Sequence, residues 1–208
     1  MLARDASLQA FLCSLFFLFL MDTSSQTDAK QAVGIHAASL VESGMRVGLG
    51  TGSTTAFALR ELGRRIREEG LSITGVPASF AAERLARDVG IPLDTLDDDV
   101  ERDMALDGAD EVDPDLNLIK GRGGAHTREK IVAAQAERFI ALVDASKLVD
   151  QLGSGQPVPV EVLPMAVGPV STHLEAAGAR KVAVRMGVKK DGPVVTDQGL
   201  WIVDAWFD

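Results

Sequence analysis

A glycine-rich segment, GLGTGST at Gly48–Thr54, lies between a predicted strand and a predicted helix. Glycines allow successive backbone N–H groups to converge on an anion, and the N-terminus of the following helix adds its positive dipole end. The segment is not a dinucleotide fingerprint, because Ser53 stands where the third glycine would be, and no Gly-Lys-Ser/Thr follows to make a P-loop. It predicts a phosphate site, although a tight turn capped by Ser or Thr would have the same composition.

An acidic motif, DGADEVD at Asp107–Asp113, follows a short apolar segment that is typical of a buried strand. In open α/β sheets, ligands bind beyond the carboxyl ends of the strands, where carboxylates can accept hydrogen bonds from sugar hydroxyls or shuttle protons. The alternative is a solvated acidic loop, which we favour for Asp113 and Asp115. The spacing of the aspartates and the glycine does not match a calcium-binding loop.

A third segment, KGRGGAHTREK at Lys120–Lys130, combines charged residues with three glycines and leads into a predicted helix. Lys120 could place a positive charge beside a developing oxyanion. Glu129 falls in the first helical turn, near a ligand held by the glycines, although a glutamate there commonly only complements the helix dipole. We interpret His126 as a structural or rim residue.

These three motifs lie in a chain whose apolar pattern alternates between the periods of strands and helices. Strands are predicted at Met45–Leu49, Leu71–Val76, Met104–Leu106 and Phe139–Val143. Helices are predicted at Ala29–Val41, Thr54–Arg67, Ala81–Val89 and Thr127–Ala136. The alternation predicts an α/β fold, a Rossmann-like open parallel or mixed sheet with helices on both faces.

The pattern changes after Asp150, where prolines punctuate the chain and a helix at Val167–Ala177 is followed by short extended segments. We predict these segments at Val182–Met186, Val194–Val195 and Trp201–Val203, which together indicate a small α+β appendage. The predicted organisation is an N-terminal extension at 1–27, a catalytic domain at 28–150 and an incomplete α+β segment at 151–208. Because the last residues, DAWFD, end in mid-pattern, we expect a C-terminal truncation.

The overall composition narrows the classes of function. The chain has 208 residues, of which 46% are hydrophobic and 25% charged, as in a globular domain. A formal net charge of −9 argues against general nucleic-acid or anionic-membrane binding but allows a locally basic pocket. The single cysteine, Cys13, rules out an intrachain disulfide, and no Cys/His cluster has the spacing of a metal site.

The segment Ala10–Leu20 reads AFLCSLFFLFL, an almost unbroken apolar run. It is shorter than the roughly 20 residues of a spanning helix, and its length suits the core of a signal peptide. Only Arg4 supplies positive charge before it, however, and no small-residue cleavage site follows. We therefore favour Met21 as the true start over secretion, and we expect a cytoplasmic protein.

Taken together and in this order, the motifs resemble those of the ribose-5-phosphate isomerase A family. GLGTGST, DGADEVD, LIKGRGGAHTREKIVA and VDASK match its pattern, as do the weaker VEVLP and VVTD segments. The resemblance covers roughly Ala29 to Asp208. It implies interconversion of ribose 5-phosphate and ribulose 5-phosphate, a step of the pentose phosphate pathway, without a metal or an organic cofactor.

The resemblance also implies roles for individual residues. Glu129 would be the general base, Lys120 would stabilise the enediolate, and Asp107 and Asp110 would assist ring opening and hydroxyl proton transfer. The implied substrate-binding positions are Lys30, Thr51, Gly52, Ser53, Thr54, Asp107, Gly108, Ala109, Asp110, Lys120, Gly121, Arg122, Gly123 and Lys147. Elementary chemistry agrees, because aldose–ketose isomerisation needs a base shared by two carbons and a group that holds the adjacent oxyanion.

The family resemblance further implies a homodimer or homotetramer, and the acidic net charge predicts no nucleic-acid or membrane partner. Another hypothesis is a non-catalytic sugar-phosphate sensor, which would explain the glycine loop but not the joint presence of Lys120 and Glu129. An amino-sugar-phosphate deaminase or a lactonase would share the loop type, but neither His36 nor His126 has the context of a catalytic histidine. A coenzyme A transferase is less consistent with the surroundings of Glu129.

Overall fold

A computed structural model describes residues 26–96 and 102–207. Its helices are α1 (Gln26–Ser39), α2 (Ser53–Glu69), α3 (Phe80–Val89), α4 (His126–Ala134) and α5 (Val167–Ala176). Its strands are β1 (Arg46–Leu49), β2 (Thr74–Pro77), β3 (Arg102–Gly108), β4 (Glu111–Val112), β5 (Leu118–Ile119), β6 (Ala136–Leu142), β7 (Val158–Val162), β8 (Lys181–Val184) and β9 (Trp201–Trp206). Short 3₁₀ turns lie at Ala145–Lys147 and Pro164–Ala166.

Four of these strands form a parallel sheet in the order β2-β1-β3-β6. Leu49 near the end of β1 pairs with Leu106 of β3, which in turn pairs with Ile140 of β6. The carboxyl ends of the strands therefore lie along one edge of the sheet. The loops that carry the GLGTGST and DGADEVD motifs leave β1 and β3 side by side at this edge.

Helices cover both faces of the parallel sheet, which confirms the predicted α/β fold. On one face, Val47 and Leu49 of β1 belong to the main core together with buried residues of α1, α2 and α3. Gly48, between them, points to the other face, where a Cβ at this position would lie 2.7 Å from the Val132 side chain of α4. The alternation of side chains along β1 thus separates the two helical layers.

A second sheet is built by the C-terminal part of the chain. Its three strands are antiparallel in the order β7-β9-β8, and α5 contacts β8 and β9. This unit confirms the predicted small α+β appendage. The two-stranded β4-β5 hairpin connects the end of β3 to the glycine loop that follows β5. The boundaries at 28–150 and 151–208 remain predictions.

Several predicted element boundaries were wrong. The strand predicted at Leu71–Val76 begins only at Thr74, because Leu71 and Ile73 are buried in the core without joining the ladder. An apolar run reports burial, and burial does not require strand pairing. Val194–Val195 is not a strand either, since only the preceding Pro193 forms an isolated bridge, with Met186. Helix α1 already includes Gln26, the first described residue, three positions before the predicted start.

The predictions for the apolar segment Ala10–Leu20 concern residues outside the described part of the chain. Within residues 26–96 and 102–207, no helix combines the length and apolarity needed to cross a bilayer.

Candidate active site

A cavity of about 160 Å³ lies at the carboxyl edge of the parallel sheet. It is lined by Lys30, Thr51, Gly52, Ser53, Thr54, Thr55, Asp107, Gly108, Ala109, Asp110, Lys120, Gly121, Arg122, Gly123, Glu129, Leu142 and Lys147. Every residue that the sequence analysis predicted for catalysis or substrate binding lines this cavity. Thr55 and Leu142 line it as well and were not predicted. The structure therefore brings the predicted set together in one cavity.

Helix α2 begins at the cavity with an N-terminus that no side chain caps. Its N-cap is Gly52, with φ of 104°, a conformation that favours glycine, and the first turn contains no acidic residue. The alternative of a turn capped by Ser or Thr is therefore wrong. The N–H groups of a first helical turn have no acceptor within the helix, so this one offers a place for a small anion.

Two lysines add positive charge to the same cavity. Lys30 lies on α1 and Lys147 ends the 3₁₀ turn Ala145–Lys147. The turn is held against α1 because the Gln26 side-chain amide donates to the Ser146 hydroxyl over 3.2 Å. Asp144 stabilises the turn by accepting from the Ser146 backbone N–H over 2.9 Å. Together with the start of α2, these ammonium groups make the cavity suited to a phosphate.

Asp107, at the end of β3, joins the glycine loop to the rest of the site. Its side chain is only 3% exposed. Oδ1 accepts hydrogen bonds from the backbone N–H groups of Thr51, at 2.9 Å, and Gly108, at 2.8 Å. Oδ2 accepts from the Lys120 ammonium at 2.9 Å. Three donors therefore fix this carboxylate between the loop after β1 and the lysine after β5.

The contact between Asp107 and the glycine loop requires glycine at position 50. A Cβ there would lie 2.3 Å from Asp107 Oδ1 and 2.4 Å from the Leu106 carbonyl oxygen. Gly50→Ala should therefore lower the free energy of unfolding by about 1–3 kcal/mol through overpacking, as measured by chemical denaturation. Gly168→Ala is the matched control, because nothing lies within 4 Å of a Cβ at that position. Equal stability of the two variants would contradict the close packing around Asp107.

Lys120 is the cation at the centre of the site. Its Nζ lies 2.9 Å from Asp107 Oδ2 and 3.0 Å from Glu129 Oε2, and it also donates to the Gly108 carbonyl oxygen. Burial opposes the charge, but the two carboxylates outweigh it and raise the pKa of the Lys120 ammonium. The side chain therefore remains a fixed positive charge at neutral pH.

Glu129 lies in the first turn of α4 and is 5% exposed. A glutamate that merely complemented the helix dipole would be solvated, whereas this one faces Lys120 inside the cavity. Burial and the nearby carboxylate of Asp107 raise the pKa of Glu129 to about 7, although Lys120 opposes the shift. The group can therefore both accept and release a proton near neutral pH, as a general base must.

The remaining predicted residues form the wall near the glycine loop after β5. Asp110 is half-buried and accepts a hydrogen bond from the Arg122 backbone N–H over 2.9 Å. Asp113 and Asp115, for which a solvated role was favoured, do not line the cavity. His126 has its ring packed against Gly121, and burial lowers its pKa, which agrees with a structural role.

The combined geometry suits proton transfer beside a stabilised oxyanion. A buried carboxylate with a raised pKa lies next to an ammonium that stays charged, in a cavity with an uncapped helix N-terminus. Sequence reasoning missed Thr55, which directly follows the GLGTGST motif, and Leu142, which ends β6. Neither a threonine nor a leucine at such a position indicates a ligand by its residue type. Thr55 is also in the first turn of α2, and a position at the carboxyl edge of the sheet is the signal that could have identified both residues.

Comparison with known proteins identifies close relatives. Residues 74–208 match the family described as ribose 5-phosphate isomerase A (phosphoriboisomerase A). A ribose-5-phosphate isomerase A of Thermosynechococcus vestitus is 60% identical over 189 residues, which cover 90% of this chain and 80% of the relative.

Solved structures agree with the sequence comparison. Ribose 5-phosphate isomerase A of Methanocaldococcus jannaschii superposes with a TM-score of 0.84 at 50% identity, covering 88% of this chain and 81% of that protein. A D-ribose-5-phosphate isomerase in complex with phospho-erythronic acid gives a TM-score of 0.83 at 49% identity, covering 86% of this chain and 79% of that protein.

Proposed function

This chain belongs to the ribose-5-phosphate isomerase A family, and we propose that it interconverts D-ribose 5-phosphate and D-ribulose 5-phosphate through an enediolate. The observation that carries the proposal is the contact between Glu129 and Lys120, 3.0 Å apart inside a cavity that begins at an uncapped helix N-terminus. This arrangement supplies a base, an oxyanion partner and a phosphate site in one place.

The phosphate would bind at the start of α2, where the first-turn N–H groups and the ammonium groups of Lys30 and Lys147 surround it. Anchoring one end of a five-carbon chain restricts the positions open to the other end. The reacting carbons would then lie beside Glu129 and Lys120. Such positioning contributes to the rate as well as to affinity, because it removes translational and rotational freedom before the chemical step.

Glu129 would remove the proton from C2 of the open-chain aldose. The electron pair of the C2–H bond forms the C1=C2 double bond, and the carbonyl oxygen at C1 becomes an oxyanion beside Lys120. Glu129 then returns the proton to C1. The hydroxyl proton on O2 passes to O1, which leaves the ketone at C2, so that atoms and charge balance over the reaction.

Asp107 and Asp110 would assist ring opening and hydroxyl proton transfer. For Asp107, the three hydrogen bonds already accepted from Thr51, Gly108 and Lys120 also support a second contribution, orientation of the lysine. Asp110 lines the cavity and would face the hydroxyl groups of the sugar.

The relative that binds phospho-erythronic acid supports this proposal. That compound carries a phosphate at one end and a carboxylate at the other. The two carboxylate oxygens resemble the paired oxygens of an enediolate, so we expect the acid to inhibit this chain competitively. A non-catalytic sensor would need no buried base beside the ammonium, and none of the observed contacts favours it.

The rate should depend on pH through Glu129. Since its pKa is raised to about 7, kcat/KM should fall roughly tenfold per pH unit as the pH drops below that value, because protonation removes the base. An ordinary glutamate would keep the rate constant down to about pH 4.3, and such a profile would contradict the assignment. The inhibition constant of inorganic phosphate over the same range controls for ionisation of the phosphate group.

The experiment that tests the function is conversion of ribose 5-phosphate to ribulose 5-phosphate by the purified chain, with EDTA present. Turnover under these conditions supports an isomerase that needs neither a metal nor an organic cofactor. If the folded chain binds the sugar phosphate without converting it, the sensor hypothesis replaces the proposal.

We also propose that the enzyme acts in the cytoplasm, as a homodimer or homotetramer, without a nucleic-acid partner. The net charge of −9 and the single cysteine support the location and the absence of nucleic acid. Exposed apolar side chains on the C-terminal unit, Met165 at 90% and Val188 at 97%, support self-association. Light scattering of the purified protein tests the oligomeric state.

A further inference from the structure

A second cavity, of about 300 Å³, adjoins the candidate active site and shares Asp110 and Arg122 with it. Its opposite wall includes Arg185, the residue that directly follows β8, and Asp204 of β9, so it comes from the C-terminal unit rather than from the parallel sheet. The Arg185 guanidinium binds the Asp204 carboxylate at two points, Nε to Oδ2 at 2.8 Å and Nη2 to Oδ1 at 2.5 Å. Asp204 is 8% exposed, so this is a largely desolvated, bidentate ion pair.

The pairing of β8 with β9 explains why the two side chains meet. Ala183 stands opposite Asp204, and Arg185, two residues further along, projects on the same side of the sheet. The Arg185 backbone is fixed as well, since its N–H donates to the Ile202 carbonyl over 2.8 Å and its carbonyl accepts from Val194 over 2.8 Å. The backbone hydrogen bonds and the contacts with the Asp204 carboxylate together fix the orientation of the guanidinium, and therefore the position of Nη1.

That remaining nitrogen reaches the glycine loop of the candidate active site. Arg185 Nη1 donates to the backbone carbonyl of Arg122 over 2.8 Å. On its other side, Arg122 donates its N–H to Asp110 over 2.9 Å. The backbone N–H and the backbone carbonyl of Arg122 are therefore both hydrogen-bonded. Arg122 lies two positions after Lys120. A glycine-rich loop has unusual conformational freedom, so hydrogen bonds from outside it are needed to fix its shape.

A further contact from the C-terminal unit reaches the same loop. The Asp197 backbone N–H donates to the Gly124 carbonyl over 3.3 Å, and the Asp197 carboxylate accepts from the Phe80 N–H over 2.7 Å. The turn that carries Asp197 thus bridges the glycine loop and the start of α3.

We propose that Arg185, oriented by Asp204, is a positioning residue for the Lys120–Gly124 segment and acts through the Arg122 carbonyl. The C-terminal sheet then contributes to the rate, because it sets the place from which the Lys120 ammonium meets Glu129. This inference rests on the proposed function for its kinetic consequence, whereas the positioning itself can be measured without turnover. The competing explanation is that the ion pair only joins β8 to β9.

The test uses two variants of the full chain. Arg185→Met combined with Asp204→Leu removes both charges, so that no carboxylate is left buried and unpaired. Arg185→Lys keeps a charge beside Asp204 but cannot reproduce the bidentate pair and the third hydrogen bond together. We expect kcat to fall about 10- to 100-fold in both variants, the range that a displacement of about 1 Å produces. The inhibition constant of inorganic phosphate should stay within about twofold, because α2 and its lysines are untouched.

The matched control is Arg46→Met with Asp94→Leu. Arg46 is the first residue of β1 and therefore lies at the amino end of the strand, opposite to the cavity. Its ion pair with Asp94 is also partly buried. This double variant should lose thermal stability without a change in kcat beyond about twofold. If kcat falls equally in both double variants, or in neither, the positioning role is wrong.

Hydrogen exchange gives a readout that does not depend on activity. The Arg122 amide should exchange faster in Arg185→Lys than in the unaltered chain, while amides of β1 keep their protection. Unchanged exchange at Arg122 overturns the positioning role. If the unaltered chain shows no isomerase activity, the proposed function fails, and the exchange result still decides whether Arg185 holds the loop.

Discussion

Replacing Glu129 with glutamine should reduce kcat by about 10²- to 10⁴-fold, the contribution typical of a general base. Glutamine has nearly the same shape, but its amide cannot take a proton from C2 of the sugar. The reduction should appear in kcat, with the inhibition constant of inorganic phosphate largely unchanged. Initial rates of ribose 5-phosphate conversion and phosphate inhibition measure the two quantities on one protein sample.

The structure gives a reason to expect phosphate binding to survive this change. Lys120 would keep its contact with Asp107, 2.9 Å away, when the charge of Glu129 is removed. The anion site itself is formed by α2 with Lys30 and Lys147, which do not depend on Glu129. Removing one buried carboxylate that is partly protonated near neutral pH should also leave the fold intact.

The matched control for this substitution is Glu83→Gln. Glu83 also lies in the first turn of a helix, α3, where it forms an ion pair with Arg87. If Glu129 only complemented a helix dipole, both variants would lose the same few tenths of a kcal/mol in stability and neither would lose activity. Retention of kcat within about tenfold in Glu129→Gln, or loss of phosphate binding in parallel with the rate, would contradict the base assignment.

The sheet and its site edge could be predicted because they follow from local pattern. The apolar strands β1 and β3 are each followed by a loop with a distinctive composition, and parallel strands must end at the same edge. That reasoning alone brings Gly52 near Asp107. The same reasoning does not place Lys120 and Glu129 at the cavity. The β4-β5 hairpin returns the chain to the cavity before Lys120, and its strands of only two residues are too short to be predicted from an apolar pattern.

Contacts between distant parts of the chain could not be predicted from local pattern. Arg185 and Arg122 are 63 positions apart, and an arginine in a short strand-like segment carries no sign of its target. Burial without strand pairing was missed for a related reason. Leu71 and Ile73 fill the core beside β2, and the same apolar pattern serves either arrangement.

Replacing Lys120 with alanine should lower the rate by the equivalent of about 2–4 kcal/mol of transition-state stabilisation, as expected for a donor to an oxyanion. A second effect follows from the same contact. Lys120 opposes the raised pKa of Glu129, so its removal should raise that pKa further and move the fall in kcat/KM to higher pH. A full pH–rate profile of the variant measures both effects.

Lys130→Ala is the control, because Lys130 lies on the same helix as Glu129 but is exposed and does not line the cavity. It should leave both the rate and the pH profile unchanged. A near-normal rate in Lys120→Ala would assign the oxyanion to another group. A reduced rate with an unshifted profile would mean that Lys120 stabilises the transition state without influencing the base, which the distance of 3.0 Å between their side chains argues against.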